Sequence, residues 1–505
     1  MKMRRGPWHW GARLSRRAEF ARLVRRRRAA YWRIWLGRTA VWASAVAVGL
    51  VAVGFARLAD FLSHSLAGVT RDYWWLPVLY MPAAGGFLVW LTRRFFPGAE
   101  GSGIPQAIAD MGPAPDPRLP ALLSVRIAIG KIFIGATAVG AGFSLGREGP
   151  TVQVGASLMQ AIHRILPRGL MIRREHLIVA GGAAGISAAF NTPLAGVLFA
   201  IEEMSRGVEA RMSGLVITAI VLAGVVAQVF FGGGHYFGHI LVTGSPRDFL
   251  VAVLVSGLAC GLAGGLFARL LIQASMGWTG RLAGFRTARP ALFAAGCGLL
   301  IAVIGVVNHG ATFASGYEPT RMLLDGSGEL PWYFFGFKFA STVLSYLAGL
   351  PGGIFAPSLS IGAGIGNLLD PFFADPQARG LLLVLCMTGF LSAATQSPIT
   401  SFIIVMEMVD GYGAVIALMA VALIGSAVSR LLSPPLYHTL ATRYLGQRKT
   451  AAERLAAESL APEGPAKDFA EAPVEGQAED QAKDQAKDQA GGTGPEETRD
   501  SAPRT

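Results

Sequence analysis

The chain has 505 residues, of which 52% are hydrophobic and 15% charged, with a formal net charge of +13. Soluble domains carry about 25% charged residues, so the three soluble domains that length alone suggests are excluded. The positive charge is concentrated in residues 1–38, where Arg4, Arg5, Arg13, Arg16, Arg17, Arg22, Arg25, Arg26, Arg27, Arg28, Arg33 and Arg38 stop at the first apolar run. Beside a span, such a cluster predicts a basic cytosolic segment facing anionic lipid and makes a nucleic-acid role the poorer reading.

Apolar runs follow at residues 40–55, 214–231, 249–267, 292–307, 381–390 and 414–428. Runs of this order of length suit a bilayer crossing. Glycine is abundant, with 64 residues, many inside these runs; in membranes that composition favours close helix packing and interrupted helices. The predicted fold class is therefore an all-α polytopic membrane protein. Cys260, Cys297 and Cys386 lie far apart in apolar stretches and read as small core residues, without metal-ligand spacing. His235 and His239 follow Gly232, Gly233 and Gly234, which predicts a loop between spans rather than a metal site. Residues 447–505 are polar, with a Gln-Ala-Lys-Asp repeat at 481–488, and cannot bury a core. Three segments result: a basic segment at 1–38, a membrane body at 39–446 and a disordered cytosolic tail at 447–505.

The body contains an internal repeat. Residues 187–193, Ser-Ala-Ala-Phe-Asn-Thr-Pro, match residues 392–398, Ser-Ala-Ala-Thr-Gln-Ser-Pro, and Pro193 and Pro398 each precede an acid, Glu202 or Glu407, at the same spacing. Upstream, Gly-rich elements end in Pro150 and Pro357, and the intervals from Pro150 to Pro193 and from Pro357 to Pro398 are nearly equal. The halves span about 39–232 and 247–446. Tandem halves with interrupted helices are the architecture of many transporters, with the substrate at the interface of the halves; the repeat alone does not say whether the halves are inverted.

Three glycine-rich breaks open helices within the body. They are Gly101-Ser102-Gly103-Ile104-Pro105, Gly146-Arg147-Glu148-Gly149-Pro150 and Gly352-Gly353-Ile354-Phe355-Ala356-Pro357. Proline suits a helix start, where its missing N–H has no intrahelical role, and glycine lets the preceding backbone bend. A helix that starts inside a bilayer points its first N–H groups and positive dipole end into a cavity, where they hold an anion. Converging starts bind a dehydrated anion without a full positive charge, so that it can also leave.

The three breaks, in this order, resemble the signature segments of the chloride channel/transporter (CLC) family, and the likeness to its bacterial chloride/proton antiporters extends over about residues 39–446. The resemblance implies two inverted halves with broken and re-entrant helices, and a homodimer with one pathway per subunit. It implies chloride and protons as transported ions, no cofactor, membrane lipid as surroundings, and a bacterial inner (plasma) membrane location with both termini cytoplasmic. Carried over residue by residue, it makes Ser102 and Tyr437 hydroxyl ligands of chloride, completed by the N–H groups of Ile354 and Phe355. Glu148, supported by Gly146, Arg147, Gly149 and Pro150, becomes gate and outer proton carrier. Glu203 becomes the inner proton-transfer glutamate of the antiporter branch. Lys131 matches a buried lysine with an electrostatic role, and Glu202 and Glu407 read as structural acids at helix ends.

Bland readings stand beside these: Ser102 as an N-cap, Tyr437 as an interfacial aromatic, Glu148 as an acid favoured by the helix dipole. Gln106, Ala107 and Ile108 depart from the acids that bacterial antiporters often carry after the first signature, leaving Asp110 as the nearest acid and the partner of Glu203 open. Ala348-Gly349-Leu350 also departs from the usual lead into Pro351. The rival readings are a passive voltage-gated chloride channel on the same fold and, remotely, an intramembrane enzyme; no His-Glu-x-x-His helix or nucleophile–base pair favours the latter.

Overall fold

The computed structural model describes residues 9–111, 118–163, 172–205, 214–232, 237–238, 246–276, 278–373 and 379–460. His235, His239 and the tail repeat lie outside them. Residues Met1–Glu453 form one compact unit, and a second begins at Arg454.

The regular secondary structure of the described residues is helical, apart from two isolated bridges between glycine-rich segments. The first half contains α1 (His9–Asp72), α2 (Leu76–Phe95), α3 (Ile104–Ala109), α4 (Val125–Gly140), α5 (Glu148–His163), α6 (Arg174–Phe190), α7 (Pro193–Phe199) and α8 (Gly214–Phe231). A π-helical turn at Ala200–Met204 prolongs α7. The second half contains α9 (Pro246–Met276), α10 (Arg281–Ala288), α11 (Pro290–Val307), α12 (Tyr317–Asp325), α13 (Phe334–Ala348), α14 (Phe355–Leu369), α15 (Arg379–Thr395), α16 (Pro398–Val409) and α17 (Val415–Leu432), followed by α18 (Leu436–Leu460). Among the described residues, five helical segments are long and apolar enough to cross a bilayer: Tyr31–Asp72, Gly214–Phe231, Leu250–Met276, Pro290–Val307 and Tyr412–Leu432. The apolar run at 381–390 lies instead in the shorter α15, whose residues from Leu381 to Thr395 are all buried.

Packing reproduces the repeat. α1 packs on α4, α6 and α8 as α9 packs on α13, α15 and α17; α2 meets α4 as α11 meets α13; α4 meets α5 as α13 meets α14; and α5 meets α6 as α14 meets α15. The α5–α6 contact requires glycine: a Cβ on Gly155 would collide with the Gly181 carbonyl, and one on Gly181 with the Gly155 carbonyl, the small-residue packing expected where no aqueous hydrophobic drive exists. α6 and α15 both end on a left-handed residue, Asn191 and Gln396, each at φ 59, which turns the chain before the proline that opens the next helix. Ser187 and Ser392 each donate to a carbonyl of the neighbouring long helix, Ile220 at 3.0 Å and Ala422 at 2.6 Å.

The two acids at the ends of the repeated helices are exchanged. Glu407 at the end of α16 accepts from Leu194 N (3.3 Å) and Ala195 N (2.9 Å) at the start of α7. Glu202 beyond α7 accepts from Ile399 N (3.1 Å) and Thr400 N (2.6 Å) at the start of α16. Each carboxylate satisfies orphan donors at a positive helix end. The end of each helix thus meets the start of the other, so α7 and α16 run antiparallel.

Two boundaries differ from expectation. The basic segment is not separate from the first span, because α1 continues through residue 38 without a break; neither proline nor a glycine cluster stands there to end it. α18 likewise runs past residue 446 to Leu460, because residues 451–460 are rich in the strong helix formers alanine, leucine, glutamate and arginine.

Candidate functional site

The three glycine-rich breaks meet. Gly101 N donates to Leu350 O (3.2 Å) and Gly352 N to Gly101 O (3.1 Å), while Gly146 and Gly353 exchange both backbone bonds at 2.7 Å. Gly149 and Gly353 are in such close approach that a Cβ on Gly353 would lie 2.8 Å from Gly149 N, and one on Gly149 would lie 3.0 Å from Ser102 O and 3.1 Å from Gly353 Cα. Segments from both halves of the chain are thereby drawn to one point, where α3, α5 and α14 begin.

The groups at that point are buried hydrogen-bond donors. Ser102 Oγ and Tyr437 Oη are buried and have no hydrogen-bond partner among the described residues, although an orphaned buried hydroxyl costs roughly 1–3 kcal/mol. The two hydroxyls are near neighbours. Tyr437, on the first turn of α18, stacks on Phe355 (centroids 6.0 Å apart, planes at 16°), and Phe190 and Phe199 pack edge-on against Phe355. The N-cap residues of α14 and α3, Ile354 and Gly103, supply no side-chain cap. Ordinary N-caps would have filled these positions.

Two carboxylates approach these donors. Glu148, in the first turn of α5, is buried; its Oε2 is without a hydrogen-bond partner among the described residues. The carboxyl lies against the first turn of α14: a Cβ on Gly146 would collide with Glu148 Oε2 and lie 3.4 Å from Ala356 N. Glu148 and Arg147 also line a cavity of 1710 Å³, together with Asp60, His64, His309 and Tyr317. Arg147 is not a bare charge there, since it donates to Ala56 O (2.9 Å) and pairs with Asp60 (2.8 Å). The second carboxylate, Glu203, lies in the π-helical turn, a distortion frequent at functional sites, and is buried. Ser397 Oγ donates to its carboxylate; His438 Nε2 donates to its carbonyl at 3.0 Å and lies 3.8 Å from Oε1. Tyr437 is within Coulombic reach of both Glu203 and Glu148.

Lys131 touches none of these hydroxyls. Fully buried, it donates to Ala99 O (2.8 Å) and Gly101 O (2.7 Å), so it fixes the carbonyl-lined bend of the first break. Glu202 accepts from the start of α16. Sequence reasoning missed Ser397, His438 and Lys338. Lys338 is also fully buried and donates to Thr312 O (3.0 Å) and Ala314 O (2.8 Å). The repeat held its signal: Lys131 precedes Pro150 at the same spacing as Lys338 precedes Pro357. His438 follows Tyr437 directly, but nothing in one sequence says that it meets Glu203.

Against known proteins, the family profile described as voltage gated chloride channel matches residues 84–430, which is more than half the chain and holds every break described above. The chain belongs to that family. The H(+)/Cl(-) exchange transporter ClcA of Salmonella paratyphi A is 30% identical over 439 residues, covering 82% of this chain and 90% of the relative. ClcA of Cronobacter sakazakii is 30% identical over 431 residues, covering 81% and 90%. Among solved structures, a slow cyanobacterial Cl-/H+ antiporter superimposes with a TM-score of 0.70 at 24% identity, over 81% of this chain and 99% of the other. A CLC-type fluoride/proton antiporter gives 0.66 at 21% identity, over 80% and 96%. These likenesses establish the CLC fold: an all-α, multi-pass membrane protein.

Proposed function

We propose that this CLC-family protein exchanges chloride for protons across the membrane. The observation that carries the reading is the pair of buried hydroxyls of Ser102 and Tyr437 beside the start of α14. Such a site offers neutral donors and a dipole to an anion and no cation in contact, which suits an ion that must leave again. The ClcA relatives, described as H(+)/Cl(-) exchangers, agree with it.

In this reading chloride takes the two hydroxyls and the N–H groups of Ile354 and Phe355. Glu148, with Gly146, Gly149 and Pro150 shaping its turn, is gate and proton carrier. Ionised, its carboxylate competes for the donors at the start of α14; protonated, it releases them to the anion and carries a proton to the 1710 Å³ cavity. Glu203 receives protons from the other solution, oriented by Ser397 and His438. The anion ligands offer no chain of proton acceptors, so the two ions diverge at Tyr437. Lys131 and Lys338 hold the backbone bends around the path. Arg147 is a positioning residue, tied to Asp60.

The antiparallel α7 and α16, capped by each other's glutamates, support halves inverted about an axis in the membrane plane. The arginine-rich start of α1 supports termini in the cytoplasm of a bacterial inner membrane. A homodimer follows from family resemblance. The test is flux from purified protein in liposomes. A chloride gradient that drives protons uphill is the expected result; chloride flux without any proton movement would make the protein a passive channel, and no anion flux would remove the reading.

A further inference from the structure

We propose that Asp110, Arg174 and Arg448 form a buried ionic latch that fixes the separation of the Ser102 and Tyr437 hydroxyls, and so sets how tightly and how fast anions pass between them. The inference rests on the reading of these hydroxyls as anion ligands.

Ser102 and Tyr437 stand at the heads of two helices. Ser102 lies just before the start of α3, and Tyr437 is the second residue of α18. The two hydroxyls are near neighbours, and their spacing depends in part on what fixes α3 against α18. At the far end of α3, the carboxylate of Asp110 is buried and pairs with Arg448 Nη1 of α18 at 2.6 Å. Its other oxygen pairs with Arg174, the first residue of α6, and Arg174 Nη1 also donates to Asp110 O at 2.6 Å. Gln160 of α5, with its amide oriented to satisfy both partners, donates to Asp110 Oδ2 (3.2 Å) and accepts from Arg174 Nη2 (2.9 Å). Ala109, Leu122 and Ala441, with Ile108 and Tyr444, form a small apolar cluster between α3 and α18 beside the pair.

A negative charge at the C-terminal end of a helix is opposed by the local dipole, so local structure does not account for Asp110; the two guanidinium groups do. Arg448 follows Tyr437 by about three helical turns on the same face of α18, or about 16 Å. A contact there controls the tilt of the helix that carries Tyr437. Asp110 is also the nearest acid following the first signature, where the sequence leaves a partner for Glu203 open. Its two arginines occupy it instead.

The experiment compares purified full-length wild type, Arg448→Met and Arg448→Lys in liposomes and by chloride calorimetry. Release of the latch in Arg448→Met is expected to weaken chloride binding at least about threefold and to raise chloride turnover, with Arg448→Lys between it and wild type. A variant that is only less stable to heat, with wild-type chloride affinity and turnover, overturns the latch. Removing one member of a buried ion pair destabilises strongly, so if Arg448→Met does not fold, Arg448→Gln is read by the same two quantities. Wild-type values in Arg448→Gln overturn the proposal, and weaker binding with faster turnover supports it. Wild-type protein that binds no chloride defeats the underlying anion-site reading instead, which separates the two failures.

Discussion

A carboxylate placed among donors intended for an anion is a competitor of that anion, and its charge decides which of them is bound. In the proposed reading Glu148 is in that position, since its carboxyl lies against the first turn of α14. Glutamine fills the same space but neither ionises nor carries a proton. Glu148→Gln is therefore expected to let chloride move while abolishing chloride-driven proton pumping; pumping at the wild-type ratio in liposomes would take this residue out of the mechanism. Glu203 is different in kind, since Ser397 and His438 address its side chain and carbonyl. Glu203→Gln should lose proton movement and keep chloride flux and chloride binding by calorimetry. Intact coupling would place the inner proton route elsewhere, and loss of chloride binding would make Glu203 structural. These two residues could be singled out from sequence only through the motif around Glu148 and a family resemblance for Glu203. Ser397 and His438 could not, because they reach Glu203 from the far end of the chain, and one sequence carries no record of such contacts.

At the scale of elements, the reciprocal caps between α7 and α16 join the two halves. A carboxylate accepting two N–H groups at a helix start gains from both hydrogen bonds and dipole, the latter up to about 2 kcal/mol when partly buried. Glu407→Gln keeps one acceptor oxygen and turns an amide nitrogen towards the other N–H. It should lower the stability of the purified protein by about 1–2 kcal/mol while leaving the chloride-to-proton ratio unchanged. A shift in the ratio at unchanged stability would give Glu407 a part in transport. Existence of these helices was legible from Pro193 and Pro398 and the equal spacing to their acids. Their antiparallel exchange was not, because equal spacing is compatible with either relative direction.

For the whole molecule, the membrane body ends in a helix that the sequence boundary at residue 446 cut short. Residues 461–505 remain polar, almost without aromatic side chains, and rich in repeated Gln-Ala-Lys-Asp, a composition that cannot bury a core. Their deletion after Leu460 should leave assembly and coupled flux at wild-type values. A correctly inserted truncation that has lost flux would assign the tail a role. Deletion from residue 440 instead would remove Arg448 as well as most of α18 and is expected to abolish chloride binding.

Composition, apolar runs and the charge of residues 1–38 determined by themselves that this chain lives in a membrane, because solvent preference is a property of local sequence. The proline-marked breaks and their repetition determined where helices start inside it, since glycine and proline act on the backbone where they stand. Tertiary structure alone decided what each helix start faces. Gly149 meets Gly353, Ser102 comes to the start of α14, and Asp110 meets Arg448 because backbones in close approach and buried charges must find partners across the fold. Those partners are distant in the chain and are chosen by packing.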